Sequence, residues 1–343
     1  MNERELISYL KNRFEKPKNL VSSWMGEDCE VLEIGDPERY LLVSVDTSSE
    51  RIDFPSDAPP FEIGYFSAAL SLADIAACGG EPLAISVSCS IPPHFREKVT
   101  EVYEGIEQAA NDGGTRIIGG DSNSAGEFSL SVVSVGFVKR DQVLFRKGAH
   151  LGDLVAVTGE LDHFNFGYYQ YNVQGLEMID FQRMLRQRPP IKAGRVLSSL
   201  GVVTSCIDLP DGLIKGLNDN MPADFGFLIN DGEIPVNYYK RHAKGVAFIP
   251  KYTLASQPAG DLQLLFTVPP EFVAVTEEAF TKDNLTLYWI GKVVTEPGIK
   301  INLGTPINPM LAVREDTLDE AFEALGKPLL VEYKLDGFRL QIH

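Results

Sequence analysis

Six aspartates occupy positions from which a carboxylate could do chemistry. They are Asp28 in GEDCEVL, Asp46 at the end of LLVSVD, Asp74 in SLADIAAC, Asp121 after IIGG, and Asp208 and Asp211 in CIDLPDGL. Most lie at strand ends or turns, where a carboxylate commonly does no more than cap free backbone N–H groups. Asp74 differs. Its neighbours are Ala, Leu, Ile and Ala, and Ser67, Ser71, Asp74 and Cys78 fall on one stripe at helical spacing. An ionised carboxylate on so apolar a helix is costly unless a cation or a buried partner meets it. Oxygen-only ligands from several aspartates suit Mg2+, which bridges protein carboxylates to nucleotide phosphates. Neither a G-x-x-x-x-G-K-[ST] loop nor a G-x-G-x-x-G run ahead of a helix occurs, so the two common backbone cradles for phosphate are missing. ATP would then be held through metal bridges, glycine-turn amides and a few cations.

A second chemical motif closes the sequence. Glu332, Lys334, Asp336, Gly337 and Arg339 spell E-x-K-x-D-G-x-R. A buried, cation-flanked lysine becomes nucleophilic when its pKa is depressed. The plain alternative is an amphipathic strand with a D-G turn.

These residues need elements to position them. Residues 3–14 pattern as an amphipathic helix, and RYLLVSVDTSS as a strand. Residues 61–80 pattern as a helix of small and apolar residues stopped by Gly79-Gly80. PLAISVSCSI predicts a strand, 95–111 a helix, and TRIIGGDS a strand ending in a glycine turn. EFSLSVVSVGFV alternates as a strand with one buried face. A boundary falls near KRDQVLFRKGAHLGD, giving a first unit over 1–140 and a second over 146–298. The second opens on the strand DLVAVTG. Helical patterns follow near 176–199, 211–220 and 271–281, with strands at LQLLFTV and LYWIGKVV. TEPGIKINLGTPINP reads as a linker, because Pro, Gly and Asn break both periodicities.

The bulk numbers fit this plan. The chain has 343 residues, enough for two domains of ordinary size, and a formal net charge of −17. Such an acidic balance argues against a broad basic face for nucleic acid. The four cysteines, Cys29, Cys78, Cys89 and Cys206, form no C-x-x-C pair, so neither a zinc framework nor a disulfide scaffold is indicated. The five histidines share no spacing. The charged start lacks a signal-peptide core, and no apolar run is long enough to span a membrane, so a cytoplasmic protein is expected.

GEDCEVL, VSVDTSSERIDF, SAALSLADIAACGGEPLA, IIGGDS, FRKGAHLGDLVAVTG, IDLPDGL and LLFTVP occur in the order and spacing of thiamine-monophosphate kinases. Residues 1–300 therefore resemble that family, part of the superfamily that includes aminoimidazole ribonucleotide synthetase. The resemblance implies an α/β fold of two mixed units. The N-terminal unit binds ATP and Mg2+ and pairs its sheet with that of a second chain into a homodimeric barrel; the C-terminal unit is α/β. It implies transfer of the γ-phosphoryl of ATP onto the phosphate of thiamine monophosphate. It also assigns Asp28, Ser44, Asp46, Asp74, Asp121, Asp208 and Asp211 to metal, with Asp46, Asp74, Asp121, Asp211 and Arg146 at the reaction centre. Gly119, Gly120, Arg146 and Tyr103 fall to the nucleotide. An acceptor already ionised needs no strong general base, so catalysis reduces to alignment and charge neutralisation. The sequence departs from the family pattern at Glu27 and Pro210, which stand where the family has Asp and Ser. It departs also at Asp53 and Gly260, where the family has His and Glu beside the acceptor.

Residues 304–343 resemble the opening of the adenylation domain of archaeal-type ATP-dependent DNA ligases. There Lys334 would attack the α-phosphate of ATP, and Glu332 and Arg339 would contact the nucleotide. The rest of a nucleotidyltransferase domain does not follow, so ligase activity is not expected, and DNA would be a partner only if that portion were completed elsewhere. Two alternatives to the kinase reading remain at this stage. One is a DNA-joining enzyme with a repurposed kinase-like module. The other is a related ATP-dependent synthetase with a different acceptor.

Overall fold

The computed structural model describes residues 3–50, 52–55, 57–164, 167, 181–220, 224–236, 251–256 and 261–303. One compact unit spans Met1–Asn302. Of the second, Leu303–His343, only Leu303 is among the described residues. The ligase-like motif with Glu332, Lys334 and Arg339 therefore lies outside them.

The first half holds α1 (Glu3–Arg13), β1 (Glu30–Leu32), β2 (Arg39–Ser49), α2 (Pro60–Ala77), β3 (Glu81–Ile91), α3 (Val99–Asp112), β4 (Ile117–Ser124) and β5 (Ser129–Lys139). The strands form one sheet in the order β1-β2-β5-β3-β4, antiparallel except for the parallel pair β3–β4. Alternation dictates its two faces. On β2, Leu42, Ser44 and Ser48 are buried; on β5, Leu130, Val132, Ser134 and Val138 are buried. That inner face packs on α2, and α3 packs on α2 in turn.

α2 starts where Pro60 offers a preset φ at N1, and ends at Cys78 because Gly79 takes the left-handed conformation, φ +74°. α2 and α3 meet at glycines. A Cβ on Gly64 would lie 1.9 Å from the Val102 carbonyl oxygen, and one on Gly105 1.9 Å from that of Phe61. Gly64→Ala or Gly105→Ala must push two helix backbones apart. Either is expected to cost about 3 kcal/mol of stability, read as a lower urea midpoint at unchanged m-value.

The second half builds a sheet in the order β11-β8-β10-β6-β9-β7. Its strands are β6 (Leu154–Val157), β7 (Ser205–Asp208), β8 (Gly226–Asn230), β9 (Leu264–Val268), β10 (Tyr288–Val294) and β11 (Gly298–Asn302). Helices Ile191–Leu200, Leu213–Asn220 and Val273–Lys282 accompany it. The expected linker is partly a strand. Gly298–Asn302 pairs in parallel with β8, so tertiary pairing overrides the local break signals. The helical pattern near 176–199 divides into Phe181–Leu185 and Ile191–Leu200, interrupted at Pro189-Pro190; residues 176–180 lie outside the described set. Among the described residues, no helix is long and apolar enough to cross a membrane.

Candidate active site

Three elements bring three carboxylates together. Asp28 comes from the loop before β1, Asp74 from the last turn of α2, and Asp208 from the end of β7. One carboxylate oxygen from each lies within 4.8 Å of the other two. Asp74 sits near the C-terminal end of α2, where the helix dipole adds to the cost of a negative charge. Ser44, on the inner face of β2, donates its hydroxyl to Asp74 Oδ2. Asp46 shares that face two residues on and lies against Asp74.

Arg146 supplies the local cation. Its Nε and Nη2 both donate to Asp28 Oδ1, at 2.9 and 2.6 Å. Its backbone N–H donates to Glu27 Oε2 at 2.8 Å. The loop before β1 also carries strain, because Met25 holds φ +50°, a conformation L side chains rarely adopt. Cys29, Cys78 and Cys206 are buried beside the acids, and burial pushes the Cys29 and Cys206 thiols well up, so they remain neutral packing groups.

The electrostatics are those of crowded anions. Burial first, then the charges of Asp46, Asp208 and Asp28, pushes the Asp74 carboxyl well above the ordinary carboxylate range; the Ser44 hydroxyl pulls it back. Asp208 is pushed well up by burial and then by Asp28 and Asp46. Burial also raises Asp28, against the pull of Arg146. Raised native pKa values mean that the folded chain binds more protons than the unfolded chain above the usual carboxylate pKa of about 3.8. Stability of chelator-treated protein must therefore fall as pH rises through that window. Its melting temperature is expected to be higher at about pH 5.5 than at about pH 7.5, with the difference reduced in Asp208→Asn.

The donor set fits a hard divalent cation. All ligand atoms are oxygen, and Asp208 Oδ2 is buried without a hydrogen-bond partner. Hard, oxygen-only donors of this kind are those Mg2+ prefers.

Other sequence-indicated residues lie outside the trio, although the charges of Asp211 and Asp53 reach Asp46. Asp211 is exposed and ion-paired with Lys215 at 2.6 Å, beside a small pocket lined by Arg146, Asp208, Pro210, Asp211 and Lys215. Asp121 lies on the edge strand. Its row runs Thr47, Ser131, Ser88, Asp121 across the sheet, on the face opposite Ser44. Three strand spacings of about 4.8 Å put it about 14 Å from β2. Gly119 and Gly120 precede it on β4, and a Cβ on Gly120 would lie 1.9 Å from the Val87 carbonyl oxygen. Tyr103 is partly buried against the core on α3. Asp53 turns back to accept from Ser49 N at 2.7 Å and Ser49 Oγ at 3.1 Å. Gly260 lies outside the described residues.

A second acidic group, Glu160, Asp162 and His163, was not singled out in the sequence. Arg183 Nε donates to His163 Nδ1 at 3.1 Å, which places the imidazole proton on Nε2, toward Glu160 Oε2 at 3.1 Å. A ring nitrogen so committed is a poor metal ligand. Glu27 was noted only as a departure from a pattern, and nothing in the sequence marks its contact with a backbone 119 positions away.

The family model described as AIR synthase related protein, N-terminal domain, matches residues 26–138. The thiamine-monophosphate kinase of Pyrococcus abyssi is 30% identical over 319 residues, covering 90% of this chain and 94% of the relative. That of Haemophilus influenzae is 28% identical over 283 residues, covering 78% and 82%. The solved structure described as AaThiL complexed with AMPPCP and TMP shares the fold at a TM-score of 0.73 and 24% identity, covering 90% of this chain and 95% of that one. These comparisons lend no support to a fused adenylation domain. With the Pyrococcus relative matched over nearly its whole length, the chain belongs to the thiamine-monophosphate kinase family, a family of phosphotransferases.

Proposed function

We propose that this chain transfers the γ-phosphoryl group of ATP to thiamine monophosphate, with Mg2+ bound at Asp28, Asp74 and Asp208. The convergence of those three carboxylates from separate elements carries the reading. The donor chemistry supports Mg2+, and the relatives' names support the acceptor. Mg2+ would be held by the trio with Asp46 and would supply charge neutralisation at the transferring phosphoryl group. The remaining roles belong to side chains. Ser44 fixes the rotamer of Asp74 through its hydroxyl. Arg146 offers the nearest guanidinium to an anionic substrate entering the pocket beside Asp208 and Pro210. Lys215 holds Asp211 at the rim of that pocket.

The first unit, 1–140, is proposed to dimerise through the outer face of its sheet. Val45, Leu83 and Ile118 are 62%, 53% and 67% exposed, an apolar set that a second copy would cover. Asp121 lies on that same outer face, away from its own chain's trio, so we assign it to the site of the partner subunit. Gly119, Gly120 and Tyr103 go with it as nucleotide contacts. The function is tested by ADP release from ATP and Mg2+. Release is expected only when thiamine monophosphate is added. Release driven by a different phosphorylated acceptor, and not by thiamine monophosphate, would establish a sister activity instead.

A further inference from the structure

Consecutive residues Glu27 and Asp28 grip one residue of the second half, Arg146. Glu27 Oε2 takes its backbone N–H at 2.8 Å, and Asp28 Oδ1 takes two guanidinium N–H groups at 2.9 and 2.6 Å. Both guanidinium bonds converge on one oxygen of a side chain that is only 2% exposed, and that carboxylate is also a member of the trio within 4.8 Å. A guanidinium and a divalent cation therefore have claims on the same carboxylate. Charge-assisted bonds of this kind are among the strong ones, and a buried carboxylate left without a cation is costly.

We propose that Glu27 is a positioning residue: by anchoring the Arg146 backbone it holds the guanidinium on Asp28 in competition with the divalent cation, so that metal entry and the release of Arg146 toward substrate are one coupled event. Three observations support this over simple packing. The Glu27 contact is made to a backbone N–H, so it fixes where the Arg146 side chain starts rather than where it ends. Arg146 is a quarter exposed, at the edge of a small pocket that it shares with Asp208 and Asp211, so the guanidinium has a solvent side toward which it can turn when it leaves Asp28. Asp208 Oδ2 stays without a hydrogen-bond partner although Arg146 is close, so the guanidinium serves one member of the trio and leaves another for a metal. Coupling follows by linkage: a cation that must displace Arg146 binds more weakly alone than beside an anion able to receive the freed guanidinium.

The inference rests on the trio being the metal site, as in the kinase reading, but not on the identity of the acceptor. Mn2+ binding to nucleotide-free protein tests it, by electron paramagnetic resonance of free Mn2+, on wild type, Arg146→Ala, Arg146→Lys, Glu27→Ala and Glu27→Gln. Thermal melts check that each variant folds. Arg146→Ala is expected to bind Mn2+ at least about tenfold more tightly than wild type, since a charge-assisted competitor has gone. Arg146→Lys keeps a cation there and should stay near wild type. Glu27→Ala is expected to tighten Mn2+ binding about threefold or more, whereas Glu27→Gln, whose amide oxygen still accepts the Arg146 N–H, should remain within about twofold. A purely structural Glu27 would not give that split between Ala and Gln. Unchanged or weaker Mn2+ binding in Arg146→Ala overturns the competition, and Glu27→Ala behaving as wild type overturns the positioning role. Absence of Mn2+ binding in every protein, with or without ATP, defeats the metal site itself. Normal Mn2+ behaviour without thiamine monophosphate-dependent ADP release defeats only the acceptor.

Discussion

Asp74→Asn is expected to lower ADP formation at least about a thousandfold, a loss of about 4 kcal/mol of transition-state stabilisation. The same substitution should raise the melting temperature of chelator-treated protein. Asn is nearly isosteric, and its carbonyl can still accept the Ser44 hydroxyl, so the fold has no reason to suffer. It loses the charge that the trio contributes to a cation, and with it the repulsion from Asp28, Asp46 and Asp208. The helix dipole acts in the same direction, because Asp74 sits in the last turn of α2. Ser44→Ala is the control: it removes one hydrogen bond and keeps the charge, so a decrease of about tenfold is expected. Activity of Asp74→Asn within tenfold of wild type would remove Asp74 from the reaction centre. A drop in both activity and melting temperature would show that Asp74 serves the fold.

Mixing two inactive proteins is expected to restore activity. Asp74→Asn spoils the trio, and Asp121→Asn spoils the group assigned to the neighbouring chain. In a mixed dimer, the chain bearing Asp121→Asn keeps a complete trio and faces an intact Asp121 from its partner. Random re-pairing makes half of all dimers mixed, each with one whole site, so recovery should approach about one quarter of wild-type activity. The argument is geometric. Asp121 stands on the outer face of an edge strand, about 14 Å across the sheet from the strand carrying Ser44 and Asp46. Within one chain that face looks away from Asp28, Asp74 and Asp208. Failure to regain activity after verified exchange would return Asp121 to its own chain's site. A monomer at all concentrations would remove the shared site altogether.

Much of this was readable from the sequence, for identifiable reasons. EFSLSVVSVGFV alternates because one face of β5 is buried and the other is not, and RYLLVSVDTSS, expected as a strand, coincides with Arg39–Ser49. α2 was legible from its small apolar residues and its double-glycine stop. β11 was not, because Gly298–Asn302 becomes a strand only through its pairing with β8, an interaction about 70 residues distant that no local window contains. β7 and β8 are short; β7 is buried throughout, so it shows no alternation, and β8 opens on two buried residues in a row. In the site, Asp74 announced itself as a charge on an apolar helix. Asp28 and Asp208 carried no such mark and were indicated by family resemblance. Glu27 was invisible as a functional residue, since its contact depends on two loops meeting in space. The placement of Asp121 on the outer face was likewise unreadable without the register of four strands.

The crowding of carboxylates beside Asp74 also bears on how long the polypeptide survives. If the proposed divalent cation binds there, the repulsion it relieves makes occupancy of the site part of the opening equilibrium on which proteases act. Under that reading, scarcity of the cation would remove the catalyst twice over, once as idle enzyme and again as digested chain.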